Sequence, residues 1–189
     1  MIISTKCRIE NMAKKSLVKE LEKQDPEELL RLLTEVTRRF PVAKMYLTME
    51  FGLEGTTIVE KYQREIYKEY FPKRGTGKAR SSKVNKILKE FSLISAFRED
   101  LVDMYWFQVK NAISYYQTYV HDYEPFLNNL FKNWKIFLDM AREEGLLGTY
   151  EPQMDALFTE RFKRYWLYAQ LMDILNAPPE PEAEEPIDE

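Results

Sequence analysis

Along most of the chain, apolar residues fall at i, i+3, i+4 and i+7, the spacing that lines one side of an α-helix. Ala13 to Lys23, with Leu17, Val18 and Leu21 on one face, predicts a short first helix. Asp25-Pro26-Glu27-Glu28 opens a second. Asp suits the N-cap, Pro the first turn, and the two acids the positive end of the helix dipole. Its apolar stripe is Leu29, Leu30, Leu33, Val36 and Phe40. Pro41 ends it, and a short third helix runs through Val42, Met45, Tyr46 and Met49. Gly52 to Gly55 read as a turn, and Thr57-Ile58-Val59-Glu60 as a capping box. The fourth helix carries Val59, Tyr62, Ile66 and Tyr70 and stops before Pro72, because the residue preceding proline disfavours helical backbone.

Residues 72–80 form a loop. Ser81 or Ser82 caps a fifth helix bearing Val84, Ile87, Leu88 and Phe91. The sixth, Phe97 to Tyr119, is apolar on more than one side, the mark of a central, buried helix. The seventh runs from Pro125 to a C-terminal stop at Gly145. The eighth opens near Pro152 and carries Met154, Leu157, Phe158, Phe162, Trp166, Ala169 and Met172. Alternating strand patterns and hairpin dipeptides do not occur. Short loops between amphipathic helices favour antiparallel neighbours. The fold class is therefore all-α: a single-domain antiparallel helical-hairpin bundle, or a short right-handed α-α stack, of about eight helices with no sheet. No fixed-period repeat is found. Residues 1–12 read as an N-terminal arm, 13–176 as one helical domain and 177–189 as a disordered tail. Met12-Ala13-Lys14-Lys15 is itself a plausible start, so residues 1–11 read as a loose arm or as the product of an upstream start.

Charge changes this picture in one place. The formal net charge is −3. Residues 177–189 hold six acids and no base, and the remainder has 28 bases against 25 acids. The acidity belongs to the tail. The 11 Phe, 12 Tyr and 3 Trp supply large buried areas. Cys7 is the lone cysteine, so no internal disulfide can form. With no apolar run of membrane-spanning length and no secretory signal, the cytoplasm is the expected compartment and no membrane partner is expected.

Seven bases fall between residues 73 and 89 without an intervening acid: Lys73, Arg74, Lys78, Arg80, Lys83, Lys86 and Lys89. Gly75 and Gly77 free the backbone for close approach. Ser81 and Ser82 open a helix, so free amides, the dipole and cationic side chains could converge on one anion. The candidate contact residues for a phosphate or a nucleic acid are Lys73, Arg74, Gly75, Gly77, Lys78, Arg80 and Lys83. The run is not a Walker A loop: Lys78 is followed by Ala79, and a helix precedes it rather than a strand. The competing readings are a merely solvated cationic surface, a loop neutralised by the tail or nearby glutamates, and a protein-docking loop.

The segment Tyr70-Phe71-Pro72-Lys73-Arg74-Gly75-Thr76-Gly77-Lys78-Ala79-Arg80 resembles the signature of a bacterial family of small helical proteins of unknown function. The flanks, Pro26-Glu27-Glu28-Leu29 and Glu144-Gly145-Leu146-Leu147, agree. The resemblance covers about residues 13–150 and implies an all-helical fold. It carries no catalytic residue, and helix eight and the tail are where departure is expected.

Nothing else assembles a catalytic set. His121-Asp122-Tyr123-Glu124 holds the only histidine, without a second ligand at metal-binding spacing, and Asp122 suits a helix cap. Glu27-Glu28 belong to a helix start. Glu143-Glu144, and Glu99-Asp100 with Asp103, read as surface charges. Tyr105, Tyr115, Tyr116, Tyr119, Tyr123, Tyr165 and Tyr168 either pack the core or line a concave aromatic face for a partner. No cofactor, metal or catalytic residue is expected. The reading that follows is a non-enzymatic scaffold that binds a protein partner, with phosphate or nucleic-acid binding through residues 73–83 as the alternative.

Overall fold

The computed structural model describes residues 16–53, 55–120 and 122–178. The expected arm 1–12, most of the tail from 177 on, and His121 lie outside the described residues. Among those described, the chain is helical with no strand, the all-α class that the periodicity predicts. It divides into two compact units, Met1–Met45 and Tyr46–Glu189.

In the first unit, residues 16–21 form α1 and Pro26–Arg39 form α2. The Asp25 carboxylate accepts the Glu28 amide at 2.8 Å, as the N-cap reading requires. Glu27 and Glu28 occupy the first turn and Arg38 and Arg39 the last, each matching its end of the dipole. Not one residue of α2 is buried. Leu30, Leu33, Val36 and Phe40 all stand exposed, as do Leu17 and Val18 of α1.

Pro41–Glu50 form α3, within which the boundary between the units falls. In the second unit Gly52, at φ +65°, lets the chain turn out of α3, with the Leu53 amide reaching back to the Thr48 carbonyl at 2.8 Å. The helices that follow are α4 (Gly55–Tyr70), α5 (Ser81–Ser92), α6 (Arg98–Tyr119), α7 (Glu124–Glu143), α8 (Leu147–Leu157) and α9 (Trp166–Asn176).

Three sequence expectations fail here. Thr57 lies inside α4 rather than capping it, because the helix already starts at Gly55. Neither serine caps α5: its N-cap is Arg80, and the Ser81 hydroxyl donates instead to the Pro125 carbonyl at 3.1 Å. The expected eighth helix is two. Pro152 sits inside α8, where its ring removes one backbone bond, and the helix ends five residues later. A 3-10 turn, Phe162–Arg164, precedes α9. The stop at Gly145 is as expected: it adopts φ +66°, and the Leu146 and Gly145 amides bond back to Ala141 and Arg142 at 2.7 and 3.0 Å.

The six helices of this unit make two layers, and their contacts fix the directions. In one layer, Thr56 and Val59 of α4 share a cavity with Phe97 and with Asp100 of α6, while Tyr70 meets Gln108, so α4 and α6 run parallel. Asp103 meets Tyr150 and Gln117 meets Leu157, so α8 is parallel too. In the other layer Ser81 meets Pro125 and Asn85 meets Asn133, then Phe131 meets Trp166 and Arg142 meets Leu175, so α5, α7 and α9 are parallel. Between layers the order reverses: Tyr62 with Phe91 and Glu69 with Lys83, then Trp106 with Phe137 and Tyr115 with Phe126. The second unit is therefore built on two packed hairpins, α4–α5 and α6–α7, with α8 laid against α6 and α7 and α9 against α7.

Helix α6 lies at the centre, packed on α4, α5, α7 and α8. Trp106, Trp134, Phe137 and Tyr150 form an aromatic cluster around it, with centroids 5.0–6.5 Å apart. Gln108, fully buried, donates to the Tyr70 hydroxyl at 2.8 Å, while its own Oε1 has no hydrogen-bond partner.

Candidate functional site

The cationic loop is built on the end of α4. Once Pro72 stops the helix, the chain folds back across its last turn. The Ala79 amide donates to the Glu69 carbonyl at 2.9 Å, and the buried Tyr115 hydroxyl of α6 donates to the Gly77 carbonyl at 2.8 Å. Gly77 passes so close to α4 that a Cβ there would stand 2.0 Å from the Tyr70 carbonyl oxygen and 2.6 Å from that of Glu69. Its missing side chain thus serves the chain's own packing. Gly75 turns at φ +73° with open space around it. Ala79, buried, holds the left-handed conformation at φ +45°, a strain of roughly 1–2 kcal/mol for a residue with a Cβ.

Beneath the loop lies Glu69, only 5 % exposed. Arg80 grips both of its carboxylate oxygens, through Nε at 3.0 Å and a terminal guanidinium nitrogen at 2.9 Å, and the Lys83 ammonium reaches Oε1 at 2.5 Å. The Arg80 hydrogen bonds hold the carboxyl down at about 2; burial opposes them and Lys83 assists. An acid in the last turn of a helix faces the negative end of the dipole. Two cations at that point offset the cost.

The structure thus parts the seven candidate residues. Arg80 and Lys83 are gathered on Glu69 and spent within the fold. Gly77 is held against α4. Lys73, Arg74 and Lys78 are exposed around Gly75, and among the described residues none of them has an ion pair. Further along α5, Lys86 sits 3.8 Å from Glu90. Glu69 is one of the nearby glutamates that the sequence offers as neutralising the loop, whereas Tyr115 is not marked there as a partner of the loop. The signal for Glu69 was available, a lone acid where the helix dipole disfavours one. Tyr115 carried no such mark, being one of several tyrosines on α6.

Other candidates resolve more simply. Asp122 does not cap α7, whose N-cap is Tyr123; it accepts a hydrogen bond from the buried Tyr116 hydroxyl at 3.0 Å. Burial, with Asp122 adding, pushes Tyr116 up to about 12. Glu143 and Glu144 share Arg98. Asp103 accepts from Tyr150 at 2.6 Å, and the Asp100 carboxyl is raised by burial and by its acidic neighbours. The tyrosines do not share one face. Tyr115 packs with Tyr119, Tyr70 and Phe71 beside the loop, while Tyr116 packs with Phe162 and Tyr165. Among the described residues no three His, Cys, Asp or Glu side chains are grouped to hold a metal ion, and no helix is long and apolar enough to cross a membrane.

A family model described as a family of unknown function, DUF6155, matches residues 12–176. The match extends beyond the expected limit near residue 150, so α8 and α9 fall within it. No curated protein and no solved structure matches the chain.

Proposed function

We propose that this chain, which belongs to the DUF6155 family, is a non-enzymatic helical module that docks a protein partner on the apolar face of α2. One observation carries the reading. A 14-residue helix, capped and charge-matched at both ends, leaves Leu30, Leu33, Val36 and Phe40 in water and buries nothing. Helices of this length draw most of their stability from packing an apolar face, and a contiguous exposed face of this kind marks an interaction surface. Substituting Leu33→Glu with Val36→Glu in the full chain should abolish a stoichiometric complex recovered from cells while leaving thermal unfolding unchanged. A wild-type chain that recovers no complex, or one indifferent to the two substitutions, rejects the reading.

A second reading keeps the loop as an anion contact through Lys73, Arg74 and Lys78 alone. It is supported by their exposure on backbone pinned by Gly77 and Tyr115. Binding of RNA or DNA should then weaken with salt and vanish in the triple alanine variant. Affinity unchanged by that variant would dismiss the loop.

A further inference from the structure

A row of aromatic rings runs beside the free cations of the loop. Tyr67 of α4 and Phe71, just past its end, have ring centroids 5.4 Å apart. Phe71 lies 6.1 Å from Tyr115 of α6, and Tyr115 lies 4.8 Å from Tyr119. The row is tied to the loop at Tyr115, whose hydroxyl donates to the Gly77 carbonyl. Its two ends are open to water: Tyr67 is 48 % and Tyr119 43 % exposed.

Cations are set along the same row. The Phe71 amide bonds to the Tyr67 carbonyl at 2.7 Å, which continues the helical turn. Arg64, Tyr67, Lys68 and Phe71 therefore fall at i, i+3, i+4 and i+7 and share one side of α4. Beyond Phe71 the chain brings Lys73, Arg74 and Lys78 around the pinned Gly77. All five cations are exposed, and among the described residues none of them has an ion pair. Glu69, the acid beneath the loop, is taken by Arg80 and Lys83. Asp122, the next acid in sequence after Tyr119, accepts from the Tyr116 hydroxyl instead.

We infer that this surface binds a single-stranded nucleic acid, with bases stacked on Tyr67 and Tyr119 and the five cations along its phosphates. The inference rests on the anion-contact reading of the loop and names its ligand. A single strand alternates anions with flat apolar faces that nothing else covers. A duplex turns those faces inward, and an acidic peptide brings the charge without the rings. Cations that have no counter-ion within the fold are free to displace those of the strand.

Fluorescence anisotropy of the full chain with labelled oligouridylate should show saturable binding that salt weakens. A duplex of equal length should bind at least about tenfold more weakly. Tyr67→Ala and Tyr119→Ala should each weaken the single strand about tenfold with the salt slope unchanged, as the loss of one stacked base requires. Tyr119→Phe should bind like the wild type, because stacking needs the ring and not the hydroxyl. Lys68→Ala, outside the loop, should reduce the slope of log affinity against log salt by about 0.7. Where Tyr119→Ala lowers the thermal unfolding midpoint, Tyr67→Ala alone decides. A strand that binds no better than duplex, or that ignores the tyrosines, overturns the inference. If the triple alanine variant of Lys73, Arg74 and Lys78 still abolishes that binding, the anion-contact reading stands without it. Binding of oligoglutamate in place of any nucleic acid overturns the inference in favour of an acidic protein segment. If none of these probes binds, both readings fall.

Discussion

Helices α6 and α2 are both written in the sequence with helical spacing, yet α6 buries ten of its 22 residues and α2 none of its 14. The difference lies in how the apolar residues are distributed. On α6 they wrap around the helix, and four neighbours use every side. On α2 they are confined to one sharply defined stripe, set against Glu28, Arg31, Glu35 and Arg38, which pair among themselves on the remaining surface. A helix apolar all round must be enclosed by its own chain. A helix with a single greasy stripe requires one cover, and that cover need not come from its own chain.

The comparison breaks most sharply in the aromatic cluster. Trp134 is fully buried, and its indole N–H donates to the Leu171 carbonyl at 2.9 Å. Trp134→Ala should cost about 3–5 kcal/mol in denaturant unfolding. A loss below about 1 kcal/mol would mean that the stack is not held as described. Gly77→Ala comes next. The colliding atoms are backbone, so the loop must be expelled from the end of α4, at about 3 kcal/mol, with Tyr115 released as a spectroscopic marker.

Glu69→Gln is smaller, about 1–2 kcal/mol at neutral pH, because both cations are half exposed and regain water. Its pH dependence is the sharper signature. The folded carboxyl sits at about 2, against an ordinary value of 4.5. Its contribution is therefore complete above about 4.5 and is lost as the pH falls toward and through 2. The Gln variant should lack that segment of the acid-unfolding curve. At the bottom of the series, Leu33→Glu should change the unfolding free energy of the monomer by no more than about 0.5 kcal/mol while disrupting association.

Much of this architecture can be read before any coordinates. The Asp25 cap, the stop at Gly145, the buried character of α6 and the break before Pro72 follow from local chemistry that neighbours do not override. The two-layer stack could not be read, because direction within a layer depends on which helices meet, and no repeat period announces it. The break between α8 and α9 was hidden by an apolar spacing that continues through Phe158 and Phe162, two rings that stack on each other at 5.9 Å across the interruption. At the loop, counting charge along the chain found the cations and offered nearby glutamates as neutralising them, without singling out which acid. Glu69 precedes the run in sequence and enters it only once the chain folds back. The same reversal changes the meaning of Gly77, which the sequence offers for a ligand's approach and the fold uses for the chain's own.

The stacking of hairpins has a consequence for how disturbances travel. The α4–α5 hairpin on one side, and α8 and α9 on the other, lean on the α6–α7 hairpin between them. A perturbation at the cationic loop can reach α9 by way of Tyr115 and then the α6–α7 pair, whose Trp134 touches Leu171. The middle hairpin is thus the relay. Amide exchange should show α8 and α9 opening without the rest, while any event that loosens the α6–α7 hairpin releases its neighbours on both sides at once.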